Sequence, residues 1–118
     1  YQCYCQKTTR LVAEKLNLED DTYITTFQSR FGPAEWLKPY TSDTMGELPL
    51  QEVKNVLVVA PAFSVDCLET IEEIDQENKE IFLKAGGEKF TYAPCLNDST
   101  GQVNLLKAII DKHLVALN

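Results

Sequence analysis

Apolar positions along the chain alternate between helical and strand-like spacing. Residues 3–16 place Leu11, Val12 and Leu16 at helical intervals, with Asn17 as the stop. Residues 22–27 (TYITTF) are rich in β-branched and aromatic side chains and read as a strand. Residues 28–41 carry two prolines and a glycine and predict a long ordered loop, followed by a short helix over 44–50 that Pro49 limits. The unbroken apolar run 55–60 (NVLVVA) predicts a strand buried on both faces, ended by Pro61. A helix then runs from residue 66 to the stop at Gly86 and Gly87, and 90–95 (FTYAPC) reads as a third strand. Ser99 and Gln102 form a capping box ahead of an amphipathic helix through Leu105, Leu106, Ile109, Ile110, Leu114 and Leu117. Strands alternating with helices predict an α/β fold, a parallel sheet flanked by helices on both faces. Ligands in such folds sit beyond the carboxyl ends of the strands.

The helix after the second strand is the most informative stretch. At about 100° per residue, Asp66, Glu69, Glu73, Glu77 and Glu80 fall within an arc of roughly 80°. Cys67, Leu68, Ile71, Ile74, Ile81 and Phe82 line the opposite side as an apolar stripe that anchors the helix on a core. A file of carboxylates on an anchored helix is able to hold or pass a hard cation. The same spacing also describes an ordinary solvated face, and Asp66 with Glu69 describes an Asp-type cap.

Composition narrows the function classes. At 118 residues the chain is one domain, able to bury about 65% of its unfolded surface. A net charge of −7 argues against nucleic-acid backbones and anionic membranes as partners. No apolar run approaches a membrane span and no signal-peptide pattern opens the chain, so a cytoplasmic location is expected. The chain starts at Tyr1 in what already reads as helix, which predicts a fragment or a processed product. Cys3, Cys5, Cys67 and Cys95 form neither a disulfide framework nor a paired zinc spacing, and reduced thiols are the better reading.

The strand rule directs attention to two loops. The first holds Gln28, Ser29, Arg30, Phe31, Trp36 and Tyr40; the second leads through Phe63 into Asp66 and Glu69. Together they offer aromatic surface beside carboxylates, which suits a large, flat, partly apolar ligand that exchanges protons or metal. Against this, residues such as Trp36 and Phe63 are more often core than ligand stackers, and Arg30 is equally readable as a surface ion-pair partner. His113, the only histidine, sits late in the last helix, where the helix dipole accounts for it, and no role is assigned to it.

The segments TFQSRFGPAEWLKPYT (26–41), VLVVAPAFSVDCLETIEEID (56–75) and CLND (95–98) resemble the carboxyl-terminal half of ferrochelatase, and the likeness runs from end to end of the chain. The resemblance implies a Rossmann-like chelatase lobe, one of two that enclose a porphyrin. It also implies insertion of ferrous iron into protoporphyrin IX, or into coproporphyrin in some bacteria, with two protons leaving as the metal enters. In the family a histidine from a Ser-x-His-Gly-type segment and a glutamate on the acidic helix handle metal and protons. That glutamate matches Glu69, and Glu73 and Glu77 match the carboxylates leading away from the site. Trp36 matches an active-site tryptophan, Gln28, Ser29 and Arg30 the polar loop at the pocket, and Phe63 an apolar residue below it. The family's acidic helix begins with a π-type turn, which re-aims the early carboxylates.

Two departures stand out. Cys67 occupies a position where many members have histidine, and the wheel places it on the apolar side, away from any metal. The segment expected to carry the catalytic histidine, and the whole amino-terminal lobe, precede Tyr1 and are expected as the missing partner. No iron–sulfur cysteine set follows the last helix, so no cofactor is expected, iron being a substrate. Glu69, with its proton affinity raised by neighbouring carboxylates, is expected to share base work with the histidine or to hand over the hydrated iron. Loss of a preceding strand is expected to interrupt the parallel sheet and to leave open edges at 22–27 and 55–60. Two other readings compete: a small chelatase that pairs with itself, and a non-catalytic Rossmann-like interaction domain.

Overall fold

The computed structural model describes residues 1–29 and 32–115. Helix α1 (Gln2–Leu16) ends where Asn17 turns into the left-handed region at φ 53°, donating its N–H back to the last turn. Helix α2 (Thr41–Glu47) passes directly into a single 3₁₀ turn, Leu48–Gln51, with Pro49 in its opening positions where no amide donor is needed. Strand β1 (Asn55–Val59) leads through a loop to a ten-residue π-helix, Glu69–Asn78, which continues as α3 (Lys79–Lys84). Strand β2 (Lys89–Ala93) follows Gly86 and Gly87, and α4 (Thr100–Val115) closes the order. The mixture of helices around a small parallel sheet is compatible with a Rossmann-like lobe.

The sheet has two strands. β1 and β2 run parallel from the Asn55–Lys89 pair to the Val59–Ala93 pair. Val56, Val58 and Ala60 face a core of Met45, Ile74, Phe82 and Phe90, to which Leu48, Ile81 and Tyr92 add partial cover. Phe82 is completely buried, with its ring 6.1 Å from that of Phe90. The other face is open: Leu57 is 67% and Val59 53% exposed. The expectation of a strand buried on both faces is therefore corrected, because among the described residues the packed elements lie on one side only.

Residues 22–26 do not pair as a strand. Phe27 alone makes a bridge to Tyr40, donating to the Pro39 carbonyl and accepting from the Thr41 amide, both at 2.9 Å. β-propensity in TYITTF thus has no ladder to join among the described residues. The apolar residues of α1 and α4 also lack cover. Leu11, Leu16, Leu106, Ile109 and Ile110 are all exposed, and the residue α4 buries is Gln102, whose amide donates to Ser99 Oγ at 3.3 Å. The radius of gyration, 16.5 Å, exceeds the about 13.5 Å of a compact domain this long, as protruding helices require. No helix among the described residues is long and apolar enough to cross a membrane.

Candidate functional site

The acidic helix is π-helical where its carboxylates lie. A π-helix closes each hydrogen bond over five residues instead of four, so successive side chains advance by less than the ~100° of an α-helix. The buried row is Thr70, Ile74 and Asn78, continued by Phe82 in α3. Leu68 and Ile71, expected in the apolar stripe, are exposed. Asn78 reaches back with Nδ2 to the Glu73 carbonyl at 2.6 Å, while its Oδ1 is buried without a partner. One residue before each member of the buried row stand Glu69, Glu73 and Glu77. The first two are half-buried and the third is exposed, so the row steps from the packed part of the lobe into solvent.

The file of five carboxylates is thereby reduced to three. Glu80 pairs with Lys84 on the exposed side of α3. Asp66 turns inward and does not cap the helix: its Oδ1 accepts from the Tyr92 hydroxyl at 2.8 Å, the Thr70 hydroxyl at 3.0 Å and the Cys95 amide at 3.3 Å. Its Oδ2 accepts from the Asn97 side chain at 2.8 Å. These donors, Asn97 foremost and then Tyr92, hold the Asp66 carboxyl well below the usual carboxylate range. Burial, with the Cys95 thiol and Asp66 beside it, pushes the Tyr92 phenol up. Tyr92, Asn97 and Thr70 carry no obvious chemistry, and sequence reasoning passed over them; the signals were Thr70 inside the DCLET motif and Asn97 inside CLND.

Glu69 departs from expectation in its electrostatics. Hydrogen bonding from the Cys67 thiol, and then from its own backbone amide, lowers its proton affinity below the ordinary value, against a smaller opposing effect of burial. The expected upward shift assumed that like charges crowd the carboxylate, whereas donors reach it first. Cys67 accordingly lies beside the acidic row and not within an apolar stripe. All four cysteines are free thiols.

The loop after Phe27 docks on the same helix. Gln28 donates from Nε2 to the Glu69 carbonyl at 3.0 Å, and Ser29, in the left-handed region at φ 59°, donates to Glu73 Oε2 at 2.7 Å. Arg30 lies outside the described residues. Trp36 is 44% exposed, not core, and its ring lies tilted 6.3 Å from that of Tyr1. Phe63 is half-buried at the turn after β1, where its amide bonds the Ala60 carbonyl at 3.0 Å. His113 bonds the Ile109 carbonyl through Nδ1 at 2.8 Å on exposed α4. Among the described residues, no three His, Cys, Asp or Glu side chains converge as a set able to hold a metal ion. Glu69, Glu73 and Glu77 are thus a row and not a cage.

A model of the family described as ferrochelatase matches residues 1–114. The chain belongs to the ferrochelatase family. It is 54% identical over 114 residues to a ferrochelatase of Marinobacter nauticus, covering 97% of this chain and 31% of that protein. Ferrochelatase 2 of Shewanella oneidensis is 55% identical over 114 residues, covering 97% of this chain and 35% of that protein. A ferrochelatase of Vibrio cholerae is 54% identical over 110 residues, covering 93% and 34% respectively. The chain spans about a third of the length of these curated relatives. The QSRFGP and DCLETIEEI segments that carried the resemblance are the two that meet at Gln28–Glu69 and Ser29–Glu73.

Proposed function

We propose that this chain is the carboxyl-terminal lobe of a ferrochelatase, a lyase of haem biosynthesis that inserts ferrous iron into protoporphyrin IX to form protohaem. The observation that carries the reading is the row Glu69, Glu73, Glu77. It runs from half-buried to exposed along a π-helix, and its inner part is tied to the Gln28–Ser29 loop. A carboxylate of lowered proton affinity is ionised at neutral pH and is a better ligand for a hydrated ferrous ion than a proton acceptor. Glu69 therefore presents iron at the porphyrin, and Glu73 and Glu77 pass it inward one or two oxygens at a time.

Removal of the pyrrole protons then falls to a base titrating nearer neutrality, the role of the histidine that the family resemblance assigns to the other part of the protein. Gln28, Ser29, Arg30, Trp36 and Phe63 form the porphyrin-facing wall, with Trp36 supplying exposed aromatic area. Water exclusion and distortion of the macrocycle come from an amino-terminal lobe closing over this one. Iron is substrate, and the enzyme works in the cytoplasm. An acidic interaction domain with no catalytic role would leave the two bridges between loop and helix without a purpose.

The test is Glu69→Gln in the complete protein, which keeps shape and removes charge. Iron insertion is expected to fall by at least about a hundredfold while porphyrin binding, followed by fluorescence quenching, is retained. Turnover near the wild-type rate would reduce Glu69 to a packing residue and sink the proposal.

A further inference from the structure

We infer that Asn97 is a positioning residue for the acidic row: its side-chain amide clamps Asp66, and through Asp66 and Thr70 it sets where the π-helix begins and how Glu69 is presented. The inference rests on the reading of Glu69 as the iron-presenting carboxylate.

The clamp is reciprocal. Asn97 Oδ1 accepts the Asp66 amide at 2.8 Å, and Asn97 Nδ2 donates to Asp66 Oδ2 at 2.8 Å. The Asn97 backbone amide itself donates to the Ser64 carbonyl at 3.0 Å, so one residue holds the loop entering the helix at two points. Its backbone lies in the left-handed region at φ 50°, which asparagine tolerates and which turns the amide back towards that loop. Asp66 then passes the restraint on. Its Oδ1 receives the hydroxyl of Thr70 at 3.0 Å, and the same hydroxyl accepts the Cys67 amide at 2.9 Å.

Cys67 and Thr70 bracket Glu69, and both are held by this chain of contacts. No local device competes with it, because Leu68, which precedes the π-helix, caps it with no side-chain bond. A π-helix is a poor default for the backbone, so its onset needs an external register. Bonds to an ionised carboxylate are roughly twice as strong as neutral ones, which suits Asp66 to be the post on which the register hangs. Tyr92, at the end of β2, fastens the post to the sheet through its 2.8 Å bond. The acidic row is thus referenced to β2, across about thirty residues of sequence.

The experiment compares Asn97→Ala and Asn97→Gly in the complete protein. Glycine accepts the left-handed backbone without strain, so it separates loss of the amide from loss of the turn. Two readouts are taken: hydrogen exchange of backbone amides, and steady-state iron insertion with ferrous iron and protoporphyrin IX. Both variants are expected to exchange amides of residues 67–74 about tenfold or more faster than wild type, with β1 and β2 amides unchanged. In both, kcat is expected to fall about tenfold with the porphyrin KM within about twofold, since binding surface is intact and only presentation is lost.

Wild-type behaviour of Asn97→Gly in either readout would overturn the inference and leave only a turn requirement. Equal acceleration in the strands would overturn it as well, marking a general loss of stability. If the wild-type protein inserts no iron, the functional reading fails, and the exchange data alone decide whether Asn97 registers the helix.

Discussion

Replacing Thr70 by valine tests the onset of the π-helix at a single atom. Thr70 is completely buried, and its hydroxyl accepts the Cys67 amide at 2.9 Å while donating to Asp66 at 3.0 Å. Valine has nearly the same shape, so packing changes little and the hydroxyl is the variable. The half-buried Cys67 amide would lose its partner; leaving a buried donor unpaired costs about 1–3 kcal/mol, an upper range for this site. The methyl that takes the hydroxyl's place returns at most about 0.8 kcal/mol of burial. The net expectation is a loss of about 1–2 kcal/mol. For a cooperative unit of 118 residues, that corresponds to a fall in Tm of about 4–8 °C. Thr70→Ser is the counterpart, keeping the oxygen and dropping a methyl. Thermal unfolding by circular dichroism gives the stability change, and exchange of the Cys67 amide gives its cause. That amide should exchange freely in the valine variant and stay protected in the serine variant. Retained protection in Thr70→Val would refute the argument, whatever the melting temperatures.

Three other outcomes follow from the same geometry. Glu73→Gln and Glu77→Gln together should impair iron insertion less than Glu69→Gln, chiefly at low iron, because both lie further along the row; unchanged kinetics across an iron titration would return them to a solvated face. Gly87→Ala should destabilise by about 1–3 kcal/mol or more in urea unfolding, since a Cβ there would stand 2.2 Å from the ring of the fully buried Phe82; an unshifted midpoint would mean that the ring moves freely. Stability should also hold down through the ordinary carboxylate range. The Asp66 carboxyl is lowered in the folded state, so its contribution is present above the unfolded pKa of about 3.9 and is lost only as pH falls below it towards the folded value. Urea midpoints should stay level from pH 7 to about 4 and fall between about pH 4 and 2 in wild type, and Asp66→Asn should flatten that acid-side fall.

Periodicity found the helices and the two strands that pair, because those elements are set by local chemistry, with Asn17 and Gly86 at helix ends and Pro61 after a strand; it ran the last strand through Pro94, where β2 has already ended at Ala93. It failed where formation depends on a neighbour. TYITTF has the side chains of a strand, yet Phe27 alone finds a partner in Tyr40. NVLVVA has the composition of a doubly covered strand, yet Leu57 and Val59 stand open. The same local logic misled the helical wheel. Spacing at about 100° per residue placed Asp66 with the glutamates and Leu68 and Ile71 in the core, whereas the π-helix buries Thr70, Ile74 and Asn78. Nothing in the residues alone announces a π-helix; the family resemblance did. Of the site, Glu69, Glu73, Gln28 and Ser29 were legible as motif positions and do meet. The network around Asp66 was not, since it joins residues 66, 70, 92, 95 and 97 by folding.

The sign of the Glu69 shift bears on how the proposed chemistry divides. A carboxylate that served as base near neutral pH would need its proton affinity raised, by burial or by like charge. Glu69 has the opposite setting, with the Cys67 thiol and its own amide donating to it. Donors that lower proton affinity also soften its hold on a cation, because they compete for the same lone pairs. In the proposed reaction, a row of carboxylates with no converging set of three among the described residues would let an ion step along and leave it free to go on to four pyrrole nitrogens. A tight cage would trap the metal as a cofactor. The setting of Glu69 thus suits delivery over retention, and it favours a proton acceptor other than Glu69 in the proposed reaction. Within that division Ser29 has a defined part. Its hydroxyl occupies one oxygen of Glu73 at 2.7 Å, so an ion arriving there meets the other oxygen first and has reason to pass on to Glu69.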